Sequence, residues 1–103
     1  MTDQANTSAA NVRRLAIRFV GEVQGVGFRW TTRRLANSLQ LTGWVRNEWD
    51  GSVSMELQGT DAQISEFFGG LMHAWGHFPP SYVIDQKDDI APRDDEAYFQ
   101  VRF

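Results

Sequence analysis

Between Glu22 and Trp30 the chain reads EVQGVGFRW, two glycines among small apolar residues followed by a single arginine, Arg29. Glycine admits φ > 0 and lets backbone approach a partner closely, but it costs conformational order, so such a pair marks either a tight turn or a bound group. An alternating segment precedes the stretch and a helical pattern follows it. In that position unpaired backbone N–H groups and the positive end of a helix dipole favour an anion. Arg29 adds a planar, permanently charged fork of donors suited to two phosphate oxygens. Together these residues describe a phosphate cradle. It is not the dinucleotide pattern G-x-G-x-x-G, because Trp30 stands where a third glycine is needed, nor a Walker loop, because Phe28-Arg29-Trp30 replaces Gly-Lys-Ser/Thr. On these residues alone, a tight strand-to-helix turn carrying a surface arginine accounts for the stretch equally well.

Two other sets of polar residues enter the search. Asn47 closes the segment GWVRN just before a turn, a place where asparagine is common for conformational reasons alone. His73 and His77 are four apart, a spacing that clamps a metal on a helix, but Gly76 and Pro79-Pro80 point to a fraying helix end and no third ligand is evident. No metal site is expected. Thr31 and Thr32 read as helix-surface and core-edge residues.

The elements that must position these groups follow from periodicity. From Arg14 to Val23 the chain alternates, with Leu15, Ile17 and Phe19 on one face and Arg14, Arg18 and Glu22 on the other, a half-buried strand. Phe28, Thr32, Leu35, Ala36 and Leu39 recur at helical spacing, so a helix opens near Phe28 and closes before Gly43. The segments TGWVRN and SVSMELQ are strands joined at Asp50-Gly51, a hairpin turn signal. Thr60 and Gln63 have the form of a capping box, and the stripe Ile64, Phe67, Phe68, Leu71, Met72, Trp75 behind it predicts a second helix. Gly69-Gly70 weakens that helix by about 1 kcal/mol per glycine relative to alanine. SYVI reads as a strand of undefined length, DQKDDIAPRDDE as a solvated loop and AYFQVRF as a closing strand. This order is the split βαβ plan: an α+β, ferredoxin-like sandwich with an antiparallel sheet of four to five strands and two helices on one face.

Composition narrows the classes further. A chain of 103 residues buries one core, so residues 13–103 are expected to form one domain behind a polar, flexible tail at 1–12 that lacks an apolar signal region. No apolar run approaches the ~20 residues of a membrane span. The absence of cysteine excludes disulfides, thiolate metal sites and cysteine nucleophiles, and it fits a cytoplasmic protein. Residues 1–47 hold seven arginines against two acids and residues 48–103 hold three cations against eleven acids, within a net charge of −3. A locally positive first half can attract a small anion, whereas an acidic whole is poorly suited to a nucleic-acid backbone.

The stretches GEVQGVGFR, GWVRNEWDGSV and LQG, in that order and spacing and with YFQVRF at the end, resemble the acylphosphatase family, small ferredoxin-like enzymes that hydrolyse carboxyl phosphates. The resemblance covers about half the chain directly. It implies that the loop amides of Val23, Gln24, Gly25, Val26, Gly27 and Phe28, with the Arg29 guanidinium, hold the phosphoryl group of a small-molecule acyl phosphate. It also implies that the Asn47 carboxamide positions the attacking water. The products are then a carboxylate and inorganic phosphate, with no cofactor, no metal and no nucleic-acid or membrane partner, in a monomer. Phosphoryl transfer through a loose transition state asks for positioning and charge stabilisation, which amides and one arginine supply. Two other readings remain. One is a binding module that keeps the phosphate site without turnover, or a stand-alone relative of the acylphosphatase-like domain that opens larger carbamoyl-transfer maturation proteins. The other is an RNA-recognition motif, which needs exposed aromatics on a central strand where SVSMELQ offers none.

Overall fold

The structure is a computed structural model and describes residues 12–25, 27–77 and 79–103; residues 1–11 of the proposed tail at 1–12, and Val26 of the proposed phosphate loop, lie outside the described residues. Among the described residues seven elements follow one another: β1 (Arg13–Gly21), α1 (Phe28–Ser38), β2 (Thr42–Asn47), β3 (Val53–Gly59), α2 (Asp61–Leu71), β4 (Tyr82–Ile90) and β5 (Phe99–Arg102). They form a five-stranded sheet in the order β4-β1-β3-β2-β5, with the helices on one face. Alternation in β1 and β3 turns Leu15, Ile17, Phe19, Val53, Met55 and Leu57 inward, where Phe28 and Ala36 of α1 and Ile64, Phe67 and Leu71 of α2 meet them. Each fully buried side chain of this size contributes about 1.5–3 kcal/mol. The capping box forms as its sequence predicts: the Thr60 hydroxyl accepts from the Gln63 amide at 3.2 Å, and the Gln63 side chain accepts from the Thr60 N–H at 2.8 Å. Gly70 explains the weak point in α2. A Cβ there would lie 3.1 Å from Leu35 Cδ1, so the bare residue is what lets the two helices approach.

Four sequence expectations change. The sheet is mixed rather than wholly antiparallel, because β5 runs parallel to β2, with Gly43 beside Phe99. β4 ends beside the start of β1, where Ile90 faces Arg14, and residues 91–98 then carry the chain to the start of β2, so a strand added at that edge must run the same way as β2. The acidic stretch is only partly loop: Asp85 to Ile90 continue β4. β4 is an edge strand with exposed side chains, so it shows no apolar alternation, and its charges shield an open sheet edge. The second helix ends at Leu71, and Met72 is exposed, while Trp75 packs from the following turn rather than from the helix. His73 and His77 therefore lie beyond the helix and do not share a helical face. Finally, Arg14 is fully buried although its alternation assigns it to the outer face. Among the described residues, no helix is long and apolar enough to cross a membrane.

Candidate active site

The junction between β1 and α1 is pinned from three sides. At its start the Glu22 N–H donates to Ser81 O at 2.7 Å, and the Ser81 N–H donates back to the Glu22 carboxylate at 3.0 Å. In its middle the Gln24 amide donates to the carbonyls of Glu48 (2.8 Å) and Ser52 (2.9 Å), which ties the loop to the β2–β3 hairpin. Beneath its end, Phe28 sits in an aromatic cluster, edge-on to Phe19 at 5.0 Å and Tyr82 at 5.6 Å and stacked on Trp75 at 5.6 Å. That cluster fixes where α1 begins and hence where Arg29 stands. Gly25 and Gly27 have φ of 79° and 75° with open space where a Cβ would be, so backbone conformation rather than crowding demands glycine.

Gly27 is the helix N-cap and provides no side chain to cap it, and the first turn holds no acidic residue. The first helical bond runs from the Thr31 N–H to Gly27 O, so the amides of Phe28, Arg29 and Trp30 precede the hydrogen-bonded ladder. These donors and the helix dipole leave local positive potential that no acidic residue of the first turn balances. Arg29 adds to this. Arg13, Arg14, Arg18, Arg46 and Arg93 are each paired with a carboxylate, whereas among the described residues no carboxylate pairs with Arg29. Its guanidinium lies 5.0 Å from the centre of the Phe103 ring.

Asn47, the last residue of β2, opposes Val53 on β3. Its Oδ1 is buried without a hydrogen-bond partner among the described residues. A buried acceptor left unmatched costs about 1–3 kcal/mol, which a fold sustains where the atom has a use. A cavity of about 290 Å³ joins the groups, lined by Val23, Gly25, Gly27, Phe28, Arg29, Trp30 and Asn47. Loop and hairpin residues that are eighteen or more positions apart thus face one space. Gln24 lies outside this lining and borders an adjoining cavity with Asn47, Glu48, Trp49 and Phe103. The Val23 N–H is engaged with Gly21 O at 3.0 Å, so Val23 lines the space while its amide is already bonded.

Sequence reasoning missed three contributors. The bracing by Glu22 and Ser81 had no local signal because the partners are 59 positions apart. The Gln24 side chain proves to be a strut for the loop. Trp30 and Phe103, both exposed, border the site, and an aromatic at the start of a helix could have been noticed.

Comparison with known proteins places the chain in a family. The family model for acylphosphatase matches residues 15–101. The chain belongs to the acylphosphatase family. The acylphosphatase of Oceanobacillus iheyensis is 46% identical over 92 residues, which cover 89% of this chain and 100% of the relative. With two other curated acylphosphatases the match spans little more than half the relative's length, 57% and 54%. Among solved structures, an acylphosphatase from Coxiella burnetii superposes with a TM-score of 0.72 at 31% identity and covers 99% of this chain and 100% of its own. HypF of T. kodakarensis has a TM-score of 0.74 at 25% identity over 88% of this chain but only 12% of its own. Acylphosphatases hydrolyse the carboxyl-phosphate bond of acyl phosphates, and the five-stranded sheet with two helices is the α+β, ferredoxin-like fold of these relatives.

Proposed function

We propose that this chain hydrolyses small-molecule acyl phosphates to a carboxylate and inorganic phosphate at the cavity between the 22–29 loop and the end of β2. The observation that carries the reading is the buried, unpartnered Asn47 Oδ1, which faces the same space as Arg29 and the uncapped start of α1. An acceptor of this kind takes a hydrogen bond from a water molecule and orients its lone pair at phosphorus. The phosphoryl oxygens lie against the loop and helix amides and the Arg29 fork, where their developing charge is balanced without reorganisation. The water oxygen forms the new P–O bond as the bond from phosphorus to the acyl oxygen breaks, and the water's proton passes to a non-bridging phosphate oxygen. A carboxylate leaves readily, so no strong general acid is needed. No step requires a metal or cofactor.

The same site serves a small molecule within one chain, since both motifs come from a single protomer. The acidic whole argues against nucleic acid, and the lack of cysteine is compatible with a cytoplasmic location. Hydrolysis of benzoyl phosphate, followed by loss of ultraviolet absorbance, tests the assignment with Arg29→Ala and Asn47→Ala as folded controls. Turnover that disappears in both supports it. A folded wild type that binds inorganic phosphate and does not turn over benzoyl phosphate replaces it with a binding module.

A further inference from the structure

Resting on that activity, we infer that the leaving acyl group is held by an aromatic shelf formed by Trp30 and Phe103, and that this chain therefore favours acyl phosphates with flat, apolar acyl groups. Three cavities adjoin. The phosphate cavity is lined by both Asn47 and Trp30. A second, of about 230 Å³, is lined by Trp30, Arg33, Tyr98, Gln100, Val101 and Phe103 and does not touch Asn47. A third, of about 340 Å³, is lined by Asn47, Trp49 and Phe103 among others and does not touch Trp30.

In-line displacement decides between the two flanking spaces. The attacking and leaving oxygens stand roughly opposite each other on phosphorus, so with the water at Asn47 the acyl group departs on the side of Trp30. Both flanking spaces carry exposed aromatics, Trp30 on one side and Trp49 on the other with Phe103 bordering both, so the in-line geometry is what selects the Trp30 side. Trp30 is 56% exposed and Phe103 91% exposed, a large apolar area to leave in water, and ligand sites are typically lined by such aromatics with a few polar groups. Both rings also carry a cation. The Arg29 guanidinium is 5.0 Å from the Phe103 ring centre, and the Arg33 guanidinium is 5.5 Å from that of Trp30. The residue that holds the phosphoryl group thus also touches the shelf, so the two parts of one substrate are gripped by contiguous side chains. A ring stacked on such a shelf gains beyond its buried area alone.

The test is the ratio of kcat/KM for benzoyl phosphate to that for acetyl phosphate, measured on wild type, Trp30→Ala, Phe103→Ala and Trp49→Ala, each checked for folding by circular dichroism. The wild type is expected to favour benzoyl phosphate. Trp30→Ala and Phe103→Ala should each lower the ratio by about 3- to 10-fold, with the loss in KM, while Trp49→Ala leaves it unchanged; because Phe103 borders both flanking spaces, the contrast of Trp30 with Trp49 decides the side. An unchanged ratio in the Trp30 and Phe103 variants overturns the shelf, as does a ratio that falls with Trp49→Ala instead, which would place the acyl group on the side of Asn47. Failure of the folded wild type to hydrolyse either compound is a different result, since it removes the hydrolase reading itself.

Discussion

Two arginines fifteen positions apart in the chain, Arg14 and Arg29, occupy opposite electrostatic situations. Arg14 on β1 is fully buried and paired: its Nε donates to Glu56 at 2.8 Å, its Nη1 to Gln58 at 3.0 Å and Glu96 at 2.7 Å, and its Nη2 to Glu96 at 3.0 Å. Burial disfavours its charge, yet the bonds to Glu96 and Glu56 outweigh that and raise its pKa. Arg29 stands at a helix start with no carboxylate beside it among the described residues, bordered by uncapped amides and an aromatic ring. The same side chain is structural where the fold supplies its counter-charge. It is available to an anion where the fold withholds one.

The largest expected effect breaks the second situation. Arg29→Ala should lower kcat/KM by about 10³-fold or more, the scale of losing an arginine that stabilises a transferring phosphoryl group, and should weaken inhibition by inorganic phosphate without changing the thermal midpoint. Asn47→Ala should lower kcat by about 10²- to 10³-fold while the phosphate inhibition constant stays within about twofold of wild type. Equal loss of phosphate binding in both variants would contradict the division of roles. Arg14→Ala tests the converse, since it strands Glu96 and Glu56 without their cation. Denaturant unfolding should show a loss of about 3 kcal/mol, with the activity of the folded fraction retained.

Smaller effects sharpen the same contrast. Gln24→Ala removes the donor shared by the Glu48 and Ser52 carbonyls, so stability should drop by about 1–2 kcal/mol and activity should fall by about tenfold as the loop loosens. Asp50 provides the mildest case. Hydrogen bonds from the Ser52 side chain and backbone, with a further one from Arg18, lower its pKa from 3.8 to about 2. A carboxyl depressed in the folded state contributes stability above its unfolded value and loses it as pH falls through the folded one. Between about pH 4 and 2 the thermal midpoint of wild type should therefore fall more steeply than that of Asp50→Asn, as a calorimetric pH series would show.

Several parts of this arrangement were legible without coordinates. The capping box at Thr60 and Gln63, the turn at Asp50-Gly51 and the inward set of β1 depend on residues within a few positions of one another, and periodicity reads such relations directly. The extended β4 escaped because its side chains face solvent on an edge strand, where charge replaces alternation. The burial of Arg14 escaped for a related reason. Alternation assigns a residue to a face, but whether that face is covered depends on a distant segment, here the 91–98 connection, which brings Glu96 over the sheet and bonds the Arg93 backbone to Gln58.

By itself the sequence determined the chemistry on offer: a bare loop with two glycines at positive φ, an arginine in the first turn of a helix and an amide at the end of a strand, each specified by local conformation. Only the tertiary structure decided that these meet in one cavity, that Asn47 keeps an unmatched acceptor there, and that Trp30 and Phe103 stand beside it. The reason is that sheet pairing in the order β4-β1-β3-β2-β5 sets β1 and β2 on either side of β3 and brings their ends together. Long-range pairing of that kind leaves no trace in the spacing of either segment.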